Sequence, residues 1–396
     1  MKYDIVLLGG EVVDPSQSLR GVRDVAILDG QIAALSADLG VYESDQVFDC
    51  RNQLVVPGLI DLHAHVYWGG VPIGLDPNLL CAAGGVTTIL DAGSAGCGNF
   101  PAFRRFIIDQ SVPEILALIH VCRSGLVCAD LGELVDPRHA DVKGTVATIQ
   151  RNEGVAVGVK IRASEHIIGS GETGWKNFRS AIKAARESGT WLMVHIGNSP
   201  MSVPEMLQEM EPGDCITHCF RGGQTTILDD QSRPFKEVMT SLEKGILFDV
   251  GHGSGSFQWE IAESAINHGF RPTSISTDLH TLSVCGPVFD MPTTMSKFLA
   301  LGLSLEEVVE MSTANPARAV GRALDIGTLK VGSTADVAVL TLEQGTFSYC
   351  DSYGSRRDGS QRLSSALTVR GGSVVPGGSG ERQSMAKQWP LGRPSR

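Results

Sequence analysis

"VVPGLIDLHAHVYWGG" (residues 55–70) carries an apolar run past Asp61 and ends it on His63 and His65, one residue apart. Side chains alternate faces along a strand, so both imidazoles lie on one face, with Ile60 and Leu62 on the other. Two imidazoles on one face can converge on a divalent cation at about 2.0–2.1 Å per bond. A His-x-His pair alone is easily met by chance. The Pro-Gly-apolar-Asp lead gives this one weight, because it makes the pair the end of a buried strand.

Seven similar short apolar runs follow: "GVTTILDAG", "EILALIHVC", "GVAVGVKIRAS", "TWLMVHIG", "DCITHCF", "GILFDVGHG" and "TSISTDLH". Helix-like segments such as "WKNFRSAIKAARESG" and "FKEVMTSLEKG" separate them, each closing on Gly. Eight such units predict a (β/α)8 TIM barrel within an α/β fold, with a doubly wound open sheet as the rival. Both chain ends read differently. "YDIVLLGGEVVD", "DVAILDGQIAAL" and "QVFDCRNQLVVPG" are strand-like, and so are "GTLKVGSTADVAVLTLEQGTF" and "SSALTVRGGSVV". They read as two halves of one small β-sandwich-like domain. The expected division is 1–54 and 321–378 for that domain, 55–320 for the barrel, and 379–396 for a disordered tail.

The 396 residues carry a formal net charge of -11, which disfavours nucleic acid as a partner. No apolar run reaches membrane-span length, and no leader is visible. Nine cysteines without paired spacing then point to reduced thiols and a cytoplasmic location.

Catalytic groups of a barrel sit at the C-terminal ends of its strands. Metal-capable residues stand there repeatedly: His63, His65, Lys160, His195, His218 and Asp278. Around Lys160, Val155, Val157, Val159 and Ile161 alternate with Ala156, Gly158, Lys160 and Arg162, which places the lysine inward. A bare ammonium beside cations is repelled and costly to bury. Either it is neutral and reacts with carbon dioxide to give a carbamate, or it pairs with a carboxylate. Cys215 and Cys219 share a face opposite His218 and read as packing residues. Asp278 is either a metal ligand and proton acceptor or the cap of a following helix. Arg162 either binds a substrate carboxylate or pairs with a loop acid. His252, on a Gly-rich loop, and His280 either face substrate or cap their loops.

This set resembles the amidohydrolase superfamily and, within it, the dihydroorotase-like metallohydrolases. "HVYWGG", "VTTILDAGSAG", "VKIRAS" and "ISTDLH" look closer still to its amidohydrolase/deacetylase subgroup. The resemblance implies two divalent metal ions, zinc by expectation, bridged by carboxylated Lys160 and a hydroxide. His63, His65 and Asp278 would hold one ion and His195 and His218 the other, with Asp278 as proton shuttle. It implies hydrolysis of a small acylated molecule, by a deacetylase, esterase or amidase. The alternatives are a cyclic-amide hydrolase of the dihydroorotase or hydantoinase kind, a metal-dependent isomerase or lyase, and a non-catalytic scaffold. Dihydroorotases carry Arg two residues after the second histidine. Tyr67 stands there instead, which speaks against dihydroorotate and makes Tyr67 a candidate substrate contact. A homo-oligomer is implied by the resemblance alone.

Overall fold

The computed structural model describes residues 2–376, so the expected tail, 379–396, lies outside the described residues. Five strands come first: β1 (Lys2–Asp14), β2 (Leu19–Leu28), β3 (Gln31–Ser36), β4 (Glu43–Asp49) and β5 (Leu54–Pro57). The last three are β13 (Val337–Cys350), β14 (Arg356–Arg370) and β15 (Ser373–Val374). All eight form one sheet in the order β15-β14-β13-β5-β1-β2-β3, with β4 beside β1. The chain ends meet where β5 pairs antiparallel with β13, Val55 opposite Val339. Buried Asp14 ties them again, because its carboxylate accepts the backbone N–H of Leu329 at 2.7 Å.

Between these ends the parallel strands follow chain order: β6 (Leu59–Ala64), β7 (Val86–Asp91), β8 (Glu114–His120), β9 (Ala156–Arg162), β10 (Trp191–His195), β11 (Cys215–Thr217) and β12 (Leu247–Asp249). The segment 274–279 closes the ring. Ser274 bridges Asp249 on one side and Leu279 bridges Ala64 on the other. This is the eight-unit barrel expected from the sequence, and its eighth member is bridged rather than fully laddered. Ile89, Ile115, Val159, Ile161 and Val194 pack outward on the helices. Leu62, Leu90, Leu116, Leu118, Met193 and Cys215 fill the interior below the mouth. Two helices read from the sequence appear as Gly171–Ser188 and Lys236–Glu243, the first ended by Gly189 in the left-handed region.

Simple alternation fails in three places. Leu62 belongs to the interior cluster rather than to a face opposite His63. The β6–β7 register slips between Asp61 and Ala64, and this bulge turns His63 inward as well. Val157 also joins the interior cluster, because β9 slips against β8 there: Ala117 pairs with Ala156 and Leu118 with Gly158. Cys215 and Cys219 do not share a face. Cys215 points inside, while β11 ends at Thr217 and His218 takes φ +70°, which sends Cys219 to the helix side. Both remain packing residues.

The β13–β14 hairpin runs well beyond the strand expected from the sequence, to Cys350 opposite Arg356. Its tip reaches the loop after β12, where Ser352 Oγ donates to Gly253 O at 3.0 Å. Asp351 accepts the backbone N–H groups of Trp259, Tyr353 and Ser355 at 3.2, 2.8 and 2.9 Å. Among the described residues, no helix is long and apolar enough to cross a membrane.

Candidate metal centre

Three histidines at the barrel mouth turn one ring nitrogen outward onto a fixed partner. His63 Nδ1 lies 2.8 Å from Thr217 Oγ1, and that hydroxyl donates to Asp249 Oδ2 at 2.7 Å. With its own hydrogen committed to the carboxylate, Thr217 accepts from His63, so Nδ1 carries the proton. Asp249 is held in turn by Ser274 Oγ at 2.6 Å and Ser276 Oγ at 2.8 Å. His218 Nδ1 donates to Gly251 O at 2.6 Å. His65 Nδ1 meets Ser94 Oγ at 2.9 Å.

The opposite nitrogens converge. Asp278 Oδ1 lies 3.5 Å from His63 Nε2 and 3.3 Å from His65 Nε2. Ligand atoms of His63, His218 and Asp278 all lie within 4.8 Å of one another. His195 Nδ1 is 2.9 Å from His218 Nε2. Burial holds these imidazoles neutral, and pushes His65 and His218 down to about 3. Lys160 Nζ stands 3.2 Å from His63 Nε2 and 3.5 Å from Met193 Sδ, and burial lowers it to about 8. Lone pairs of neutral imidazoles facing a carboxylate repel one another unless a cation lies between them. The donor set therefore fits divalent metal of the nitrogen- and oxygen-binding kind.

Asp278 reaches this position from a left-handed backbone, φ +47°, with its N–H on His63 O at 2.6 Å. It caps no helix, since the next one, Met291–Ala300, is capped by Asp290. The centre opens into a cavity of about 350 Å³ lined by Ile73, Leu126, Arg162, Asp278, His280 and Leu282 among others.

The remaining predicted residues divide. His280 lines this cavity, with Nδ1 accepting Leu282 N–H at 3.2 Å and Nε2 4.0 Å from Asp278 Oδ2. Arg162 lines it too, and it is paired: Nη1 lies 3.4 Å from buried Glu133, which also faces His120 at 3.3 Å. Tyr67 does not join the lining; its ring stacks on Phe103 with centroids 4.6 Å apart. His252 turns away as well, stacked on Phe257 and bonded to Lys297. Asp249, Thr217, Ser94 and Glu133 were not read from the sequence. Asp249 ends its strand as His195 ends its own, so a signal existed. Glu133 had none, because it comes from a loop far along the chain from Arg162.

A closed parallel barrel with buried histidines, a lysine and an aspartate at its mouth defines a metal-dependent hydrolase of the amidohydrolase type. Residues 251–367 match the model of the Amidohydrolase family. A deacetylase of Agrobacterium fabrum is 38% identical over 327 residues, spanning 82% of this chain and 80% of its own. A crystal structure titled as a dihydroorotase superposes with TM-score 0.86 at 35% identity, covering 94% of this chain and 97% of that one. Another, titled as an adenine deaminase, gives TM-score 0.87 at 30% identity, covering 94% and 99%. The chain belongs to the amidohydrolase superfamily, in its dihydroorotase-like branch, whose members hydrolyse amide or ester bonds.

Proposed function

We propose that this chain is a binuclear metal-dependent deacylase that removes a small acyl group, acetyl foremost, from an ester or amide. The observation that carries it is the convergence of His63, His65, His218 and Asp278 around Lys160 at the barrel mouth. The deacetylase relative supports the acyl group removed. His63, His65 and Asp278 would hold one ion, His195 and His218 the other, and Lys160, as its carbamate, both. Burial favours the neutral amine that carbon dioxide needs, and a carbamate replaces a repelled cation with an anionic ligand. Zinc is the ion proposed. When bound, it would polarise the scissile carbonyl and acidify the attacking water.

The chain's own groups do the rest. Asp278, beside His65 and open to the cavity, takes a proton and returns it to the leaving group. His280 keeps its Nε2 proton, because Nδ1 is engaged by Leu282, and this nitrogen stands 4.0 Å from the same carboxylate. Arg162 commits Nη1 to Glu133 and retains further N–H donors for a carboxylate on the substrate. Ile73, Leu126 and Leu282 supply apolar lining around the rest.

The test is a panel of O-acetyl hydroxy acids, N-acetyl amino acids, dihydroorotate and hydantoins, assayed with zinc-loaded protein. Acetylated acids should turn over and dihydroorotate should be poor. Turnover of the cyclic amides with every acetyl compound inert would replace this reading with the cyclic-amide one. Arg162→Met should then raise KM selectively for carboxylate-bearing substrates, by about tenfold for one charge-assisted hydrogen bond.

A further inference from the structure

Lys297, on the helix Met291–Ala300, is 1% exposed and lies outside the metal centre. Its Nζ donates to acceptors from three separate segments: His252 Nε2 at 2.6 Å, Pro287 O at 2.9 Å and Cys350 O at 2.8 Å. An ammonium has three hydrogens, so the set is matched one to one and no donor is left over. The tautomer of His252 agrees. Its Nδ1 donates to Gly253 O at 2.9 Å, which leaves Nε2 as the acceptor. Burial pulls Lys297 down to about 7, and the nearby Cys350, Asp351 and Asp290 push the other way. A buried ammonium is a poor device for stability alone, because well-packed apolar side chains commonly do as well. What it achieves here is registration: the loop after β12, the loop after the eighth barrel segment and the end of β13 are fastened to one atom.

The first of those loops frames the metal centre. Gly251 O receives His218 Nδ1 at 2.6 Å, and Gly251 N donates to Ser276 Oγ at 2.9 Å. Gly253 has φ +53°, and a Cβ there would fall 2.2 Å from Asp278 Oδ2. A shift of His252 therefore displaces the backbone that orients both His218 and Asp278. We propose that Lys297 is a positioning residue for hydrolysis: its ammonium, acting through His252, sets the Gly251–Gly253 segment and with it the placement of His218 and Asp278. The inference rests on the deacylase reading only for the choice of assay.

The test compares full-length metal-loaded wild type with Lys297→Met, His252→Ala and the double variant. Lys297→Met should lower kcat by up to about a hundredfold, the scale of a misplaced reacting group, with KM little changed. The double variant should lose no more than the worse single one, since both break the same path. Hydrogen–deuterium exchange, read without substrate, should quicken in peptides covering 250–258 and 348–356 and stay unchanged across β6–β8. An unchanged kcat with only a lower melting temperature overturns the proposal, and so do additive losses. If Lys297→Met does not fold, Lys297→Gln, which keeps two donors, is judged by the same readouts. Wild type inert on every acetyl compound refutes the deacylase reading, while the exchange comparison still decides the role of Lys297.

Discussion

His63 turns an unprotonated Nε2 toward Asp278 because Asp249, acting through the Thr217 hydroxyl, settles where the proton sits. Asn at 249 can donate to Thr217 and reverse that relay, which moves the proton of His63 to Nε2. Asp249→Asn should therefore weaken metal binding by about 10–100-fold, the usual cost of losing a ligand's supporting partner, as read by isothermal titration of zinc into the apo protein. Unchanged affinity would remove Asp249 from the relay. Asp278 and His63 should separate in the same spirit. Asp278→Asn keeps an oxygen donor and should retain metal while kcat falls about 10²–10⁴-fold. His63→Asn, which loses the Nε2 that faces Asp278, should lose the metal itself. Elemental analysis beside kinetics distinguishes the two, and an Asp278→Asn variant that keeps its metal and a normal kcat would deny Asp278 the proton-shuttle role.

The loop after β12 meets His218 and Asp278 through its backbone. Glycine suits Gly253 twice over, by its φ of +53° and by the carboxylate of Asp278 pressed against its Cα. Gly253→Ala should push Asp278 out of place and lower kcat by about a hundredfold, with a further cost of about 1–2 kcal/mol in stability from the left-handed backbone. A normal kcat would mean that the loop yields and the carboxylate does not depend on it. Gly93 has the same relation to Lys160, since a Cβ there would fall 2.5 Å from the lysine's own. The bulges in β6 and β9 belong to this scale too. Each inserts a residue, the first beside His63 and the second at Val157 below the centre, and each re-aims a side chain that regular alternation would send elsewhere.

Across the whole molecule, the barrel mouth gathers groups from every part of the barrel, so metal and fold should be linked. Two ions per chain are expected by elemental analysis, and their removal with a chelator should lower the melting temperature. An ion at 100 times its Kd contributes about 2.7 kcal/mol. Reactivation should need bicarbonate as well as zinc, and should quicken as pH rises through about 8, because the reactive neutral amine of Lys160 gains at the expense of the ammonium. Full recovery from zinc alone in carbon dioxide-free buffer, at a rate independent of pH, would count against the carbamate.

The barrel, the two-ended sheet and the inward convergence of His63, His65, Lys160, His218 and Asp278 follow from local sequence, because each strand carries its own apolar run and ends on its own chemistry. Periodicity is a property of neighbours in the chain, so it failed where register is set by the adjacent strand, at Leu62 and Val157, and where the backbone leaves the strand at His218, which re-aims Cys219. Contacts between distant segments were decided only by the closed ring. Glu133 takes one arm of Arg162 out of use, Tyr67 stacks on Phe103 away from the cavity, and His252 turns from the substrate to Lys297. Their partners lie far along the chain, and a residue type alone does not say which buried charge will meet it. Closure of the barrel brings them within a few ångströms, and there the cost of leaving a buried polar group unpaired selects the partner.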